Sequence, residues 1–157
     1  MRPVIFIVGS TFLIIVLLVF GLPYLDQKEG QGKIEVNPLE YDAGTISMAA
    51  GLIKHIYEIR NNGDSDLKIE DIRTSCMCTT AILKTGDKES PKFGMHNNPK
   101  FWSQKIAPGE IGFLEVTFDP AFHGPQGTGP VIRAIYLSTS DPDNQKIEIR
   151  LLVNVIP

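Results

Sequence analysis

Cysteine is scarce in this chain of 157 residues: the only two lie together in Cys76-Met77-Cys78. A lipid-modified signal needs a cysteine near the N-terminus, and there is none. Charge of either sign is also thin, with Lys and Arg contributing 15 residues against 18 Asp and Glu, for a net charge of −3. Basic residues never cluster with aromatics, so nucleic-acid binding has no support. No Gly-x-Ser-x-Gly elbow, His-Glu-x-x-His helix, phosphate-cradling glycine loop or dinucleotide fingerprint occurs. The expectation is therefore a protein that is not an enzyme. No repeat of 20 to 50 residues is visible either.

What the chain does have is one long apolar run. Val4 to Leu25 carries no charge and is mostly Val, Ile, Leu and Phe. At ~1.5 Å per residue, roughly 20 apolar residues cross the ~30 Å hydrocarbon core, so the run predicts one membrane-spanning helix. A cleaved signal peptide would show a small-x-small site, which Phe20-Gly21-Leu22-Pro23-Tyr24-Leu25-Asp26 does not offer. Residues 1–25 are read as an uncleaved anchor in the lipid bilayer. Arg2 and the terminal amine precede the run, and Asp26, Lys28 and Glu29 follow it. The positive-inside tendency then places a short tail in the cytoplasm and the rest of the chain outside the cell membrane. Residues 26–33 form a polar, glycine-containing spacer, and 34–157 are enough for one domain.

Past Lys33 the pattern has period two. Ile53, His55, Tyr57 and Ile59 alternate with Lys54, Glu58 and Arg60, and Leu114, Val116 and Phe118 alternate with Glu115 and Thr117. The clearest run is Ile147, Ile149, Leu151, Val153 and Val155 against Lys146, Glu148, Arg150 and Asn154. Val131 to Thr139 is a further strand, with Arg133 alternating among apolar positions. Such alternation marks strands with one buried face. Asn61-Asn62-Gly63-Asp64 supplies residues that tolerate positive φ, Pro108-Gly109 fits a type II turn, and Asp141-Pro142-Asp143-Asn144 makes a tight reversal. No helical periodicity with caps appears, so the fold is expected to be all-β, an antiparallel sandwich or barrel.

Several of these segments resemble a bacterial family. Tyr41-Asp42-Ala43-Gly44-Thr45-Ile46 is similar to the aromatic-x-x-Gly-x-Ile opening of domain-of-unknown-function family 1573, which is akin to the ASH, MSP and hydin immunoglobulin-like domains. Asn61 and Gly63 match its Asn-x-Gly turn. Leu67, Ile69 and Ile72 lead into Ser75-Cys76-Met77-Cys78-Thr79, which resembles its Ser-Cys-Gly-Cys-Thr. Pro108-Gly109-Glu110, Val116-x-Phe118-Asp119 and Thr139-Ser140-Asp141 match later elements. Met77 stands where the family has glycine, and a long insertion occupies 84–105. The resemblance covers roughly 36–155; it implies an immunoglobulin-like sandwich and no established activity.

The residues able to carry chemistry are few. In a regular strand, Cys76 and Cys78 would point to one face with Cα atoms ~6.6 Å apart, at the upper edge of the disulfide range. A bend at Met77 would permit a disulfide; two thiolates on one face would instead share a soft ion. The plainer reading is a pair of buried small hydrophobes or a disulfide of an oxidising compartment. The insertion has no strand pattern, yet Phe93-Gly94-Met95-His96 and Phe101-Trp102 give it apolar anchors. His123 lies in a second loop, Asp119 to Pro125. Cys76, Cys78, His96, His123 and Met95 are thus the candidate ligands for Cu(I) or Zn²⁺. Against this, His96 and His123 read equally as surface histidines, and Met95 and Trp102 as packing residues. His55, on a buried face, is expected to be a core histidine bonded to backbone. Two functions follow: an interaction or structural module that meets another cell-envelope protein, or a soft-metal domain. Convergence of the four Cys and His side chains favours the second.

Overall fold

The computed structural model describes residues 30–157, and the expected membrane-spanning helix at 4–25 lies outside the described residues. Among the described residues no helix is long and apolar enough to cross a membrane. The described chain is built from strands, as the alternation predicts. In order they are β1 (Ile34–Asn37), β2 (Glu40–Ser47), β3 (Ile53–Asn61), β4 (Leu67–Thr74), β5 (Thr79–Thr85), β6 (Lys88–Glu89), β7 (Gln104–Ile106), β8 (Ile111–Phe118), β9 (Gly129–Thr139) and β10 (Lys146–Ile156). Two short 3-10 turns, Met48–Ala50 and Gly124–Gly127, complete the list.

The strands form two five-stranded sheets, β1-β3-β8-β5-β6 and β2-β10-β9-β4-β7. The alternation read from sequence turns one face of each strand inward. Ile149, Leu151, Val153 and Val155 of β10 are buried, as are Tyr57 and Ile59 of β3 and Leu114, Val116 and Phe118 of β8. Together with Leu67, Ile69, Ile72, Ile135 and Leu137 they make one core between the sheets. Each fully buried aliphatic or aromatic side chain contributes about 1.5–3 kcal/mol relative to exposure. Tyr57 keeps its hydroxyl satisfied by donating to the Arg150 carbonyl at 2.9 Å.

One pairing departs from the purely antiparallel expectation. β1 runs antiparallel along β3, and β2 runs parallel along β10 in the opposite sheet. Pro38 lies between β1 and β2 and has no N–H to continue the first ladder, so the chain leaves one sheet and joins the other there.

The insertion at 84–105 is more ordered than its sequence suggests. After Gly86, at φ 52°, β6 folds back on β5. Phe93 then bridges Ala81 and is fully buried, with Trp102 edge-on at 4.7 Å. Asn98 donates to the Ile72 and Gly94 carbonyls, and β7 closes the segment onto β4. The insertion therefore spans from the β5 edge of one sheet to the β4 edge of the other, covering that side of the core. Periodicity fails to reveal it because its strands are only two and three residues long.

The register gives the sandwich two distinct ends. At one, Asn61, Leu67, Ile111, Thr139 and Lys146 lie together. Asn61 is fully buried there. Its Oδ1 accepts from the Lys33 and Gly63 amides, and its Nδ2 donates to the Ser65 and Ile106 carbonyls. Gly63 does not use the positive φ expected of it. Glycine is needed because a Cβ would collide with the Gln31 carbonyl. Gly109 does take φ 76°, in a turn closed by Glu110 N donating to Ala107 O. Asp141 accepts from the Ile34 amide at 2.9 Å, the Asp143 amide and Asn144 Nδ2. Burial pushes its carboxyl upward, but these donors together outweigh that and hold it below the usual carboxylate range.

Candidate functional site

The opposite end carries the sulfur chemistry. Between β4 and β5 the chain reverses through Ser75–Cys78. Thr74 Oγ1 pins the turn by donating to the carbonyls of Cys76 and Thr79, at 3.0 and 2.9 Å. Ser75 is tied to β9 by its amide to Ala134 O and by its Oγ accepting from Ala134 N, both at 2.9 Å. The reversal brings the cysteine Cα atoms to 5.3 Å, well inside the range that permits closure, and the two sulfurs are joined as a disulfide. The bend at Met77, not a regular strand, decides between the geometries open to the sequence.

His123 reaches the same corner from the loop between β8 and β9. Asp119 N donates to Cys78 O at 2.9 Å, and Asp119 Oδ1 accepts from Ala121 N, which turns the loop back over the cysteines. His123 Nε2 then lies 3.1 Å from Cys76 Sγ, with the Phe122 ring edge-on to the imidazole. The sulfurs of Cys76 and Cys78 and a ring nitrogen of His123 all fall within 4.8 Å of one another. Cys78 is buried, Cys76 is half-buried, and His123 is exposed.

Arg133 was visible in the sequence only as a charge at an apolar-patterned position of β9. Its Nε donates to Cys78 Sγ at 3.1 Å, and its guanidinium sits 5.6 Å from the centroid of the Phe118 ring. Burial pulls the guanidinium down from its ordinary value. A lone Arg on the inward side of a strand is the signal that could have marked it, since such a charge requires a partner.

His96 and Met95 do not join this corner. They line a separate hollow with Glu70, Asp71, Arg73 and Phe101, on the flank of β4. The reason is the anchoring of the insertion: Asn98 on Ile72 O directs the residues beside it to the flank of β4. Trp102 packs against the core, as a covering residue would. His55 also departs from the expectation. It is half-buried, and its Nε2 has no hydrogen-bond partner among the described residues, so it is not bonded to backbone through that atom. Its ring is instead stacked on Tyr41 at 3.5 Å and meets Tyr57 edge-on. Burial lowers its pKa.

Beside the disulfide is a shallow hollow lined by Cys78, Met77, Leu52, Phe122, Thr80 and Glu115. Three of its apolar members are well exposed: Leu52 at 61%, Met77 at 58% and Phe122 at 47%.

Comparison with known proteins bears on the fold and on the first half of the sandwich. A protein of unknown function from Porphyromonas gingivalis W83 aligns with a TM-score of 0.61 and 21% identity, over 79% of this chain and 47% of its own. The chain thus spans about half the length of that protein. A family 123 glycoside hydrolase from Clostridium perfringens aligns with a TM-score of 0.55 and 8% identity, over 80% of this chain and 27% of its own. The ASH/PapD-like domain of human CEP192 aligns with a TM-score of 0.47 and 16% identity, over 79% of this chain and 85% of its own. No curated protein matches the chain. Cys76 and Cys78 fall within the matched segment, while His123 and Arg133 lie beyond it: residues 34–91 match the model of the family described as protein of unknown function (DUF1573).

Proposed function

We propose that this chain is a binding module of the cell envelope rather than an enzyme. It is anchored by residues 4–25 with its immunoglobulin-like domain outside the membrane. In the dithiol state Cys76, Cys78 and His123 hold one soft metal ion. The observation that supports the metal reading is the convergence of two sulfurs and an imidazole nitrogen within 4.8 Å. An ion bound at ~2.3 Å from sulfur and ~2.0 Å from nitrogen bridges donors spaced on that scale. Thiolate with imidazole suits Zn²⁺ or Cu(I), and a thioether would tilt the choice toward copper; Met77 lines the same hollow as Cys78, whereas Met95 lies elsewhere. A disulfide sulfur is a poor ligand, so the cysteines must first be reduced.

The test is titration of the reduced full-length chain with Cu(I), and separately with Zn²⁺, against a competing chelator. One ion per chain should bind. Cys76→Ser should abolish binding, His123→Ala should weaken it by roughly tenfold or more, and His96→Ala should leave it unchanged. No binding by the wild type, or equal binding by all variants, removes the metal. The exposed Leu52, Met77 and Phe122 then favour the other reading, a surface that meets another envelope protein.

The anchor is tested separately. A membrane-impermeant protease applied to intact cells should cleave beyond residue 30. Cleavage only after lysis would reverse the orientation.

A further inference from the structure

We propose that the Cys76–Cys78 disulfide is an exchanging redox couple, reduced by a dithiol protein that attacks Cys76 and expels Cys78. The inference shares the dithiol state with the metal reading but needs no metal.

Three observations carry it. First, the two sulfurs are unequal. Cys78 is 3% exposed, whereas Cys76 is half-buried at the rim of the turn. An incoming thiolate must approach in line with the sulfur–sulfur bond, and Cys76 is the more exposed of the two residues. Second, the leaving sulfur has a cationic donor already in place, the Arg133 Nε at 3.1 Å. A thiolate expelled there is met by a charge-assisted hydrogen bond without rearrangement. Phe118 beneath the guanidinium holds that donor on the buried side. Third, the surface beside the disulfide is suited to a protein. Leu52, Met77 and Phe122 are exposed apolar side chains around one hollow that Cys78 also lines, and a small thiol has no use for them.

The exchange balances as follows. A partner thiolate forms a bond to Cys76 Sγ, the Cys76–Cys78 bond breaks, and Cys78 takes the electron pair. The partner's second thiol then attacks its own sulfur in the mixed disulfide and releases Cys76. The partner is oxidised from dithiol to disulfide, and its two thiol protons end on Cys76 and Cys78. In an oxidising compartment such a partner is what would keep the dithiol available.

The experiment uses the oxidised full-length chain with a chelator present and no denaturant. Dithiothreitol is the first reductant, and thiols are counted by mass after alkylation. The wild-type disulfide should open completely under these conditions. Arg133→Gln should slow opening about tenfold, and Arg133→Lys should restore part of the rate. Single-cysteine variants test the asymmetry without relying on Arg133. The thiol left in Cys78→Ser, which is Cys76, should form a mixed disulfide with glutathione disulfide at least about tenfold faster than the thiol left in Cys76→Ser. Circular dichroism confirms that each variant is folded. A wild-type disulfide that opens only in denaturant overturns the proposal, as does equal or reversed reactivity of the two single thiols. Metal affinity is measured on the pre-reduced chain, so a failure of exchange and a failure of metal binding read out separately.

Discussion

The two ends of the sandwich each gather polar side chains from distant parts of the chain, and they use them in opposite ways. At the Asn61–Asp141 end, side-chain oxygens and nitrogens are consumed by backbone groups. Asn61 makes four such bonds, and Asp141 takes the Ile34 amide across 107 positions of sequence. At the cysteine end, Thr74 Oγ1 and backbone bonds hold the turn and the loop, while the sulfurs and the imidazole face each other, with His123 exposed and Cys78 buried. A buried polar group whose capacity is filled by amides is structural. A cluster whose sulfurs and imidazole face one another gains capacity for a ligand once its disulfide is reduced. The same inventory of polar residues therefore reads as architecture at one end and as a candidate site at the other.

That contrast predicts an ordered set of stability effects. The largest belongs to Asn61→Ala, which removes the partner of two amides and two carbonyls, the Ile106 carbonyl buried and the others part-buried. It should cost about 3 kcal/mol or more in urea unfolding. A cost under about 1 kcal/mol would mean that water replaces Asn61 and that this end is not closed as described.

Asp141→Asn comes next, at about 2 kcal/mol at neutral pH, because a neutral amide offers one acceptor where the carboxylate offers two. Its effect also has a pH signature. The folded pKa lies below the ordinary value. The stabilisation is therefore complete above the unfolded carboxylate's pKa of about 3.9 and is lost as pH falls through the lower folded value. Wild type should lose stability across that acid range, and the Asn variant should lose less. Parallel curves for the two proteins would remove Asp141 as the linked group.

The smallest effect is expected at the cysteine end. His123 is exposed, so His123→Ala should change stability by no more than about 0.5 kcal/mol while weakening metal binding. A large loss of stability would place His123 with Asn61 and Asp141 as a structural residue and blur the distinction between the ends.

Much of the fold was legible because a half-buried strand must alternate. Ile149, Leu151, Val153 and Val155 announce β10 by period two, and the structure buries all four. β5 was harder to see. Its inward residues are Thr79, Ala81, Leu83 and Thr85, and hydroxyls on the buried face erase the hydrophobic contrast that periodicity needs. β6 and β7 were too short to produce any pattern. The parallel β2–β10 pair was equally hidden, since no local signal says which sheet a strand joins after Pro38.

The candidate site divides in the same way. Sequence alone determined that the cysteines share one short segment and that two loops each bring a histidine, because these are facts of spacing and composition. It could not choose between His96 and His123. Both sit in loops beside a methionine or a phenylalanine, and neither has a periodic surrounding to orient it. Tertiary structure decided, through backbone bonds between segments far apart in the chain. Asp119 N on Cys78 O brings the His123 loop over the sulfurs, and Asn98 on Ile72 O holds the residues around His96 against the flank of β4. The same holds for Arg133, which sequence marks as a misplaced charge and which finds its sulfur partner only when β9 is laid beside the Cys76–Cys78 turn. Alternation is a local property that each strand carries within itself. The meeting of side chains from different loops depends on sheet order and register, which arise only when the two sheets pack.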